Sequence, residues 1–190
     1  STIGEGLAIL AGDGLLNGAM ELCLQAALKR DDRRGFQATE ILFRRAGVTG
    51  MIAGQTVDVT MEGSKPTEEL VSYIHTHKTA DLIQAPMEMG LTLAGCDQEI
   101  IDAGAAYGKH LGIAFQIVDD LLDVTGDAAE MGKNTGMDSK KLTWISLRGL
   151  GGARMDARQH TELAVAALGG IPGDTTFFES LAWNHLNRRH

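Results

Sequence analysis

Phe115-Gln116-Ile117-Val118-Asp119-Asp120-Leu121-Leu122-Asp123 sets three carboxylates into an apolar run. Asp119 and Asp123 are four apart, so on a helix they share a face about one turn apart, with Asp120 beside them. Burying that much negative charge without compensation is costly. A divalent cation supplies the compensation, and an all-oxygen donor set suits Mg²⁺. An exposed acidic helix face is the competing reading, but the flanking Ala114, Phe115, Ile117, Val118, Leu121, Leu122 and Val124 argue for a central helix.

Cationic partners are also readable. Lys78-Thr79 interrupts a helical pattern made by Tyr73, Ile74, Leu82 and Ile83. Gly132-Lys133 follows the aspartates, and Lys141 and Thr143 come next. Lysines near an acidic, metal-binding helix are what a diphosphate requires: the metal bridges carboxylates to phosphate oxygens and ammonium groups neutralise the remainder. Taken singly, Lys78 and Lys133 could equally be surface lysines. Asp13 between two glycines, and Gln55 and Asp58 after Gly54, are further polar insertions in helices. Each either faces solvent or orients a neighbouring lysine. Asp31-Asp32 reads as a charged turn among Lys29, Arg30, Arg33 and Arg34. His75 and His77 are two apart, do not share a helical face, and make no zinc site on their own.

The elements that must position these groups are helical. Apolar residues recur at three- and four-residue spacing with little strand-like alternation. Helices are expected from about Leu7 to Leu28, Phe36 to Ala46, Met51 to Met61, Glu68 to Ala94 with a kink at Pro86, Glu99 to Val124, Thr143 to Leu168 with a bend near Gly149 to Gly152, and from Thr175 or Thr176 to near Arg189. Residues 125 to 142 read as a loop. Gly12, Gly14 and Gly18 inside the first helix suggest close packing or ligand approach. The sum is an all-α bundle of long antiparallel helices in a single domain spanning residues 1–190.

Composition narrows the class. A net charge of -8 over 190 residues disfavours nucleic acid as the main partner. Cys23 and Cys96 are the two cysteines, which offer no disulfide framework and fit a reducing, cytoplasmic compartment. No uninterrupted apolar run reaches membrane-spanning length, so no transmembrane segment is expected.

Together these residues resemble the trans-prenyl diphosphate synthases, the polyprenyl synthetase family, in its short-chain farnesyl and geranylgeranyl diphosphate members. The resemblance is carried by Leu10-Ala11-Gly12-Asp13-Gly14-Leu15-Leu16, by Gly50-Met51-Ile52-Ala53-Gly54-Gln55 with Asp58, and by His77-Lys78-Thr79. It continues through Phe115-Gln116 leading into Asp119-Asp120-Leu121-Leu122-Asp123, and Gly132-Lys133. It implies an isoprenoid synthase-like bundle around a central cavity, a homodimer, and Mg²⁺-dependent head-to-tail condensation of isopentenyl diphosphate with an allylic diphosphate. In that scheme Asp119, Asp120 and Asp123 match the second of two aspartate-rich motifs and hold metal. Lys78, Lys133 and Lys141 hold the allylic diphosphate, Thr79 and Gln116 lie near its reacting end, and Phe115 lies beside the isopentenyl site.

Two departures stand out. No Asp-Asp-x-x-Asp motif precedes residue 119, so the chain is expected to be the C-terminal part of the domain, with the N-terminal helices missing and no condensation by this segment alone. The Gly136 to Thr143 stretch is about two residues short of the family pattern. A non-catalytic regulatory subunit and a class I terpene cyclase are the competing readings. The intact Asp119-Asp120-x-x-Asp123 and Gly132-Lys133 disfavour the cyclase. Product chain length is not readable.

Overall fold

The computed structural model describes residues 4–130 and 142–188, with backbone alone at 125–130. Helices occur in chain order as α1 (Glu5–Arg30), α2 (Arg33–Ala46), α3 (Met51–Thr60), α4 (Glu68–Ile74), a π-helical turn (His75–Ala80), α5 (Asp81–Ala94), α6 (Gln98–Glu130), α7 (Trp144–Ala167), a 3₁₀ turn (Leu168–Gly170) and α8 (Thr176–Leu186). The all-α bundle is therefore observed. One part of the expected fold class is corrected: a helix of 26 residues, α1, opens the chain, so its N-terminal helix is present. Apolar and small residues run unbroken by proline to Arg30, where Asp31 adopts a left-handed conformation and Asp32 restarts the chain as the N-cap of α2. Asp32 accepts from the Gly35 amide and from the Arg30 guanidinium, and these two bonds in that order hold its carboxyl below the usual range.

α1 is apolar on every side and exposes Leu7, Ile9, Leu10, Leu15, Leu22 and Leu28, while Ala27 near its end packs against Gly35 of α2. By length and composition it is long and apolar enough to cross a membrane. Isolated Asp13 and Glu21 interrupt its apolar run, as the sequence shows, without making the helix polar on average. The glycines Gly12, Gly14 and Gly18 meet no neighbour within 4 Å among the described residues.

α6 is the central helix, packed against α5, α7, α8 and the π turn. Its buried Ile113, Ile117 and Val118 share one core with Val71, Ile74, Ala80, Trp144, Ile145, Ala153 and Ala157. A second cluster gathers Tyr107, Leu111, Ala164, Leu168 and Ala182, closed by a hydrogen bond of 2.8 Å from the Tyr107 hydroxyl to the Phe178 carbonyl. Burial pushes the Tyr107 phenol up to about 12.

One local detail differs from the sequence expectation and one agrees with it. The departure from α geometry in the 68–94 stretch falls at His75–Ala80, upstream of Pro86, which lies inside α5. π turns mark places where a backbone has been re-aimed, frequently at functional sites. In α7 the bend is at Gly149, with φ 68°, and a capping box of Thr143 with Ser146 starts the helix.

Candidate active site at the π turn and the central helix

The π turn carries His75, His77, Lys78 and Thr79, and places them between α3 and α6. Lys78 is ion-paired to Asp58 of α3. Thr79 donates from Oγ1 to Gln116 Oε1 of α6 at 2.6 Å, and Gln116 Nε2 donates to Asp120 Oδ1 at 3.0 Å. One hydrogen-bonded line thus joins the expected Thr79 and Gln116 to the expected metal ligand Asp120, 41 residues from Thr79 in sequence (120 − 79). Beside it, Met51, Ile52, Gln55, Thr56, Val59 and Thr60 line an open groove of about 530 Å³ that reaches Lys78 and Thr79.

The three aspartates do not share one environment. Asp120 is 8% exposed and turns inward, with Oδ2 at 3.5 Å from Nε2 of the buried His75. Burial, opposed by the Gln116 and Trp144 hydrogen bonds, raises its carboxyl to about 6. Its Oδ2 has no hydrogen-bond partner. Burial likewise lowers His75 to about 4, so the imidazole beside Asp120 is neutral at pH 7 and does not compensate it. Asp119 pairs with Arg188, and Asp123 is exposed. Among the described residues no three His, Cys, Asp or Glu side chains are already drawn together as a metal-ligand cluster.

The C-terminal end of α8 was not anticipated by the sequence reading. His185 stacks on Phe115 with ring centroids 4.6 Å apart, and Arg188, just past the helix, lies over the same ring while pairing with Asp119. The signal was present as a His-x-x-Arg spacing, one helical turn, in a tail that carries no other mark of function. The dismissed histidines also have partners: His75 faces Asp120, whereas His77 pairs with Asp81 through Nδ1 at 2.8 Å. Asp13 is exposed on α1, and Gln55 lies exposed on the groove wall. Lys133 and Lys141, with the shortened 136–143 stretch as far as Lys141, fall outside the described residues.

An all-helical bundle with a lysine and a threonine on a π turn facing an aspartate-rich central helix defines the class. The polyprenyl synthetase family pattern matches residues 1–167, and the chain belongs to that family. It is 38% identical over 168 residues to the farnesyl diphosphate synthase of Geobacillus stearothermophilus, covering 85% of this chain and 55% of the relative. It is also 38% identical over 195 residues to geranylgeranyl pyrophosphate synthase 9, chloroplastic, of Arabidopsis thaliana, covering 98% of this chain and 54% of the relative. The chain thus spans about half the length of these relatives. Among solved structures, the geranyltransferase of Helicobacter pylori complexed with magnesium and isoprenyl diphosphate superposes with a TM-score of 0.78 at 33% identity. That match covers 96% of this chain and 60% of the other.

Proposed function

We propose that this chain carries the diphosphate-handling side of a Mg²⁺-dependent prenyltransferase that joins isopentenyl diphosphate to an allylic diphosphate such as dimethylallyl, geranyl or farnesyl diphosphate. The observation that supports it most is the Thr79–Gln116–Asp120 hydrogen-bonded line beside Lys78. Lys78 and Thr79 line an apolar groove, and the line continues from Thr79 through Gln116 to the buried Asp120 carboxylate.

The donor set fits Mg²⁺. Asp119, Asp120 and Asp123 offer hard oxygens, and Asp120 Oδ2 is a buried acceptor that lacks a partner. These three residues would hold the ion, which when bound would neutralise diphosphate oxygens and make the diphosphate a better leaving group. Lys78, held by Asp58, binds and orients the same diphosphate. The Gln116 amide and the Thr79 hydroxyl present oriented dipoles where positive charge grows as the allylic carbon–oxygen bond breaks. The double bond of isopentenyl diphosphate then forms the new carbon–carbon bond, and a proton leaves the adjacent carbon. Phe115 with His185 and Arg188 forms the wall on the isopentenyl side. Lys133 and Lys141 belong to the same diphosphate site in this reading, and the working enzyme is a cytoplasmic homodimer.

The test is condensation of labelled isopentenyl diphosphate with each allylic diphosphate by the full-length protein while Mg²⁺ is varied, with Asp119→Ala in the same full-length protein alongside. Turnover that is Mg²⁺-dependent and falls by orders of magnitude in the variant is the expected result. Turnover in Asp119→Ala equal to wild type at every Mg²⁺ level removes the metal role. Binding is read separately: Mg²⁺ with inorganic diphosphate at a hundred times its Kd adds about 2.7 kcal/mol of stability by linkage, and no rise in Tm means that no site is formed.

A further inference from the structure

The π turn that presents Lys78 is anchored from behind by a buried ion network that the proposed reaction does not use. Arg45, near the end of α2, reaches into α5. Its Nη1 donates to Asp81 Oδ1 at 2.5 Å, and its Nη2 and Nε donate to Glu88 Oε1 and Oε2 at 2.7 and 3.2 Å. Gln84 Nε2 adds a bond of 2.8 Å to Glu88. Asp81 is 2% exposed and Glu88 is 7% exposed, and the two buried carboxylates share the Arg45 guanidinium. Arg44 reaches Glu88 at 3.8 Å from the surface.

Asp81 has a second partner. Its other oxygen, Oδ2, accepts from His77 Nδ1 at 2.8 Å, and its position is the first residue after the π turn. A carboxylate only accepts, so the two donors, one from α2 and one from the turn, fix it from both sides. His77 is the residue immediately before Lys78, and its ring also packs on Tyr73 of α4 at 4.4 Å between centroids. The chain of contacts runs Arg45 to Asp81 to His77, and the next residue is Lys78. A π turn contains one residue more than an α turn would hold, and nothing in its own backbone selects where that residue bulges. Side-chain bonds at its two ends supply that selection here. Buried ion networks contribute little net stability against apolar replacements of the same size. A network of two carboxylates on one arginine is therefore better explained by orientation than by stability.

The geometry points to Arg45 and Asp81 as positioning residues: through His77 they hold the π turn in the register that aims Lys78 and Thr79 at the diphosphate. This inference rests on reading Lys78 as a diphosphate ligand. Its experiment therefore has one arm that needs no substrate. Amide hydrogen exchange across 75–80 is compared in wild type, Asp81→Ala and Glu88→Gln, together with affinity for inorganic diphosphate and Mg²⁺ by calorimetry. Glu88→Gln keeps one of the two bonds from Arg45 and leaves Asp81 in place, so it controls for loss of buried charge away from Asp81. If Asp81→Ala does not fold, Arg45→Met/Asp81→Ala/Glu88→Met takes its place, since it removes every charge of the network together.

The expected result is an exchange rate across 75–80 raised about tenfold or more in Asp81→Ala or in the triple variant, with Kd for diphosphate raised about tenfold, and Glu88→Gln close to wild type in both. Asp81→Asn should restore most of both, because its amide oxygen still accepts from Arg45 and its NH₂ donates to His77 Nδ1 once that neutral ring carries its proton on Nε2. Unchanged exchange in the turn overturns the inference. So does a diphosphate affinity in the folded Asp81→Ala or triple variant equal to wild type. If wild type itself takes up no diphosphate, the proposed function fails, and the exchange arm alone decides whether Arg45 and Asp81 hold the turn.

Discussion

Gly54 of α3 lies directly against the backbone nitrogen of Lys78: a Cβ built at position 54 would sit 2.1 Å from that nitrogen and 2.7 Å from the His77 carbonyl carbon. Both atoms are main chain and cannot rotate away. The missing side chain is what lets α3 approach the π turn closely enough for Asp58 to pair with Lys78.

Gly54→Ala should therefore cost about 1–3 kcal/mol of stability through overpacking and pull Asp58 away from Lys78. Gly90→Ala is the control, because a Cβ there meets nothing within 4 Å and the residue lies inside α5. That change should stabilise by roughly 0.5–1 kcal/mol through helix propensity. Thermal denaturation of both variants checks the opposite signs, and equal effects would mean that the close approach carries no weight.

Gln116 is the middle of the Thr79–Gln116–Asp120 line. Gln116→Leu fills similar space but leaves the Thr79 hydroxyl and Asp120 Oδ1 without that partner. A stability loss of about 1–3 kcal/mol is expected from the unpaired groups. In the condensation assay kcat should fall by roughly a factor of 100, as for loss of an oriented dipole, with a smaller change in KM. A change confined to KM would place Gln116 in substrate binding only.

Arg188 and a cation compete for Asp119 in the proposed function. The pair is one-third exposed on both sides, which limits its worth to about 0.2–1 kcal/mol. Arg188→Met should accordingly tighten Mg²⁺ binding, without diphosphate, by up to about fivefold. Calorimetric titration reads this directly, and weaker binding in Arg188→Met would refute the competition.

Acid should weaken the fold through buried histidines. Burial lowers His75 and His160 to about 4, and it lowers His110 as well, with Lys109 adding to the effect. His110 and His160 meet across α6 and α7 with Nδ1 atoms 3.0 Å apart, near Trp144 and Asp156, so one ring must be neutral and accept. The unfolded chain protonates these rings near their ordinary value of 6.5, before the folded chain does. Their contribution is complete above about pH 6.5 and is lost as pH falls towards 4. Asp120, raised to about 6, works in the opposite direction over part of that window. Burial lowers His185 as well, so with four histidines against one aspartate Tm should fall between pH 6.5 and 5. His160→Gln should flatten that slope, and a slope unchanged in the variant would assign it elsewhere.

Much of the site was legible because its residue types are chemically unusual for their places. Asp119, Asp120 and Asp123 break an apolar helix, and Lys78-Thr79 breaks another. Other features carried no such mark. His75 and His77 looked unrelated by spacing, and it took the π turn to send one to Asp120 and the other to Asp81. Pro86 was the visible suspect for a kink, yet the turn lies upstream of it. A π bulge adds one residue to a helical turn without requiring any particular residue type, so periodicity alone does not locate it.

The sequence by itself determined the helical class, the order of the helices, the family, and the candidate aspartates and lysine, because helix periodicity and charge within apolar runs are local properties. Tertiary structure decided how those charges are paired: Lys78 with Asp58, Asp119 with Arg188, Asp120 with Gln116 and against His75, and Asp81 with Arg45. It also turned Asp120 inward, where burial raises its carboxyl to about 6, while Asp123 of the same motif is exposed. The reason is geometric. Neighbours on a helix point about 100° apart, and which direction meets water, an arginine or the core is set by the packing of α6 against the π turn, α7 and α8.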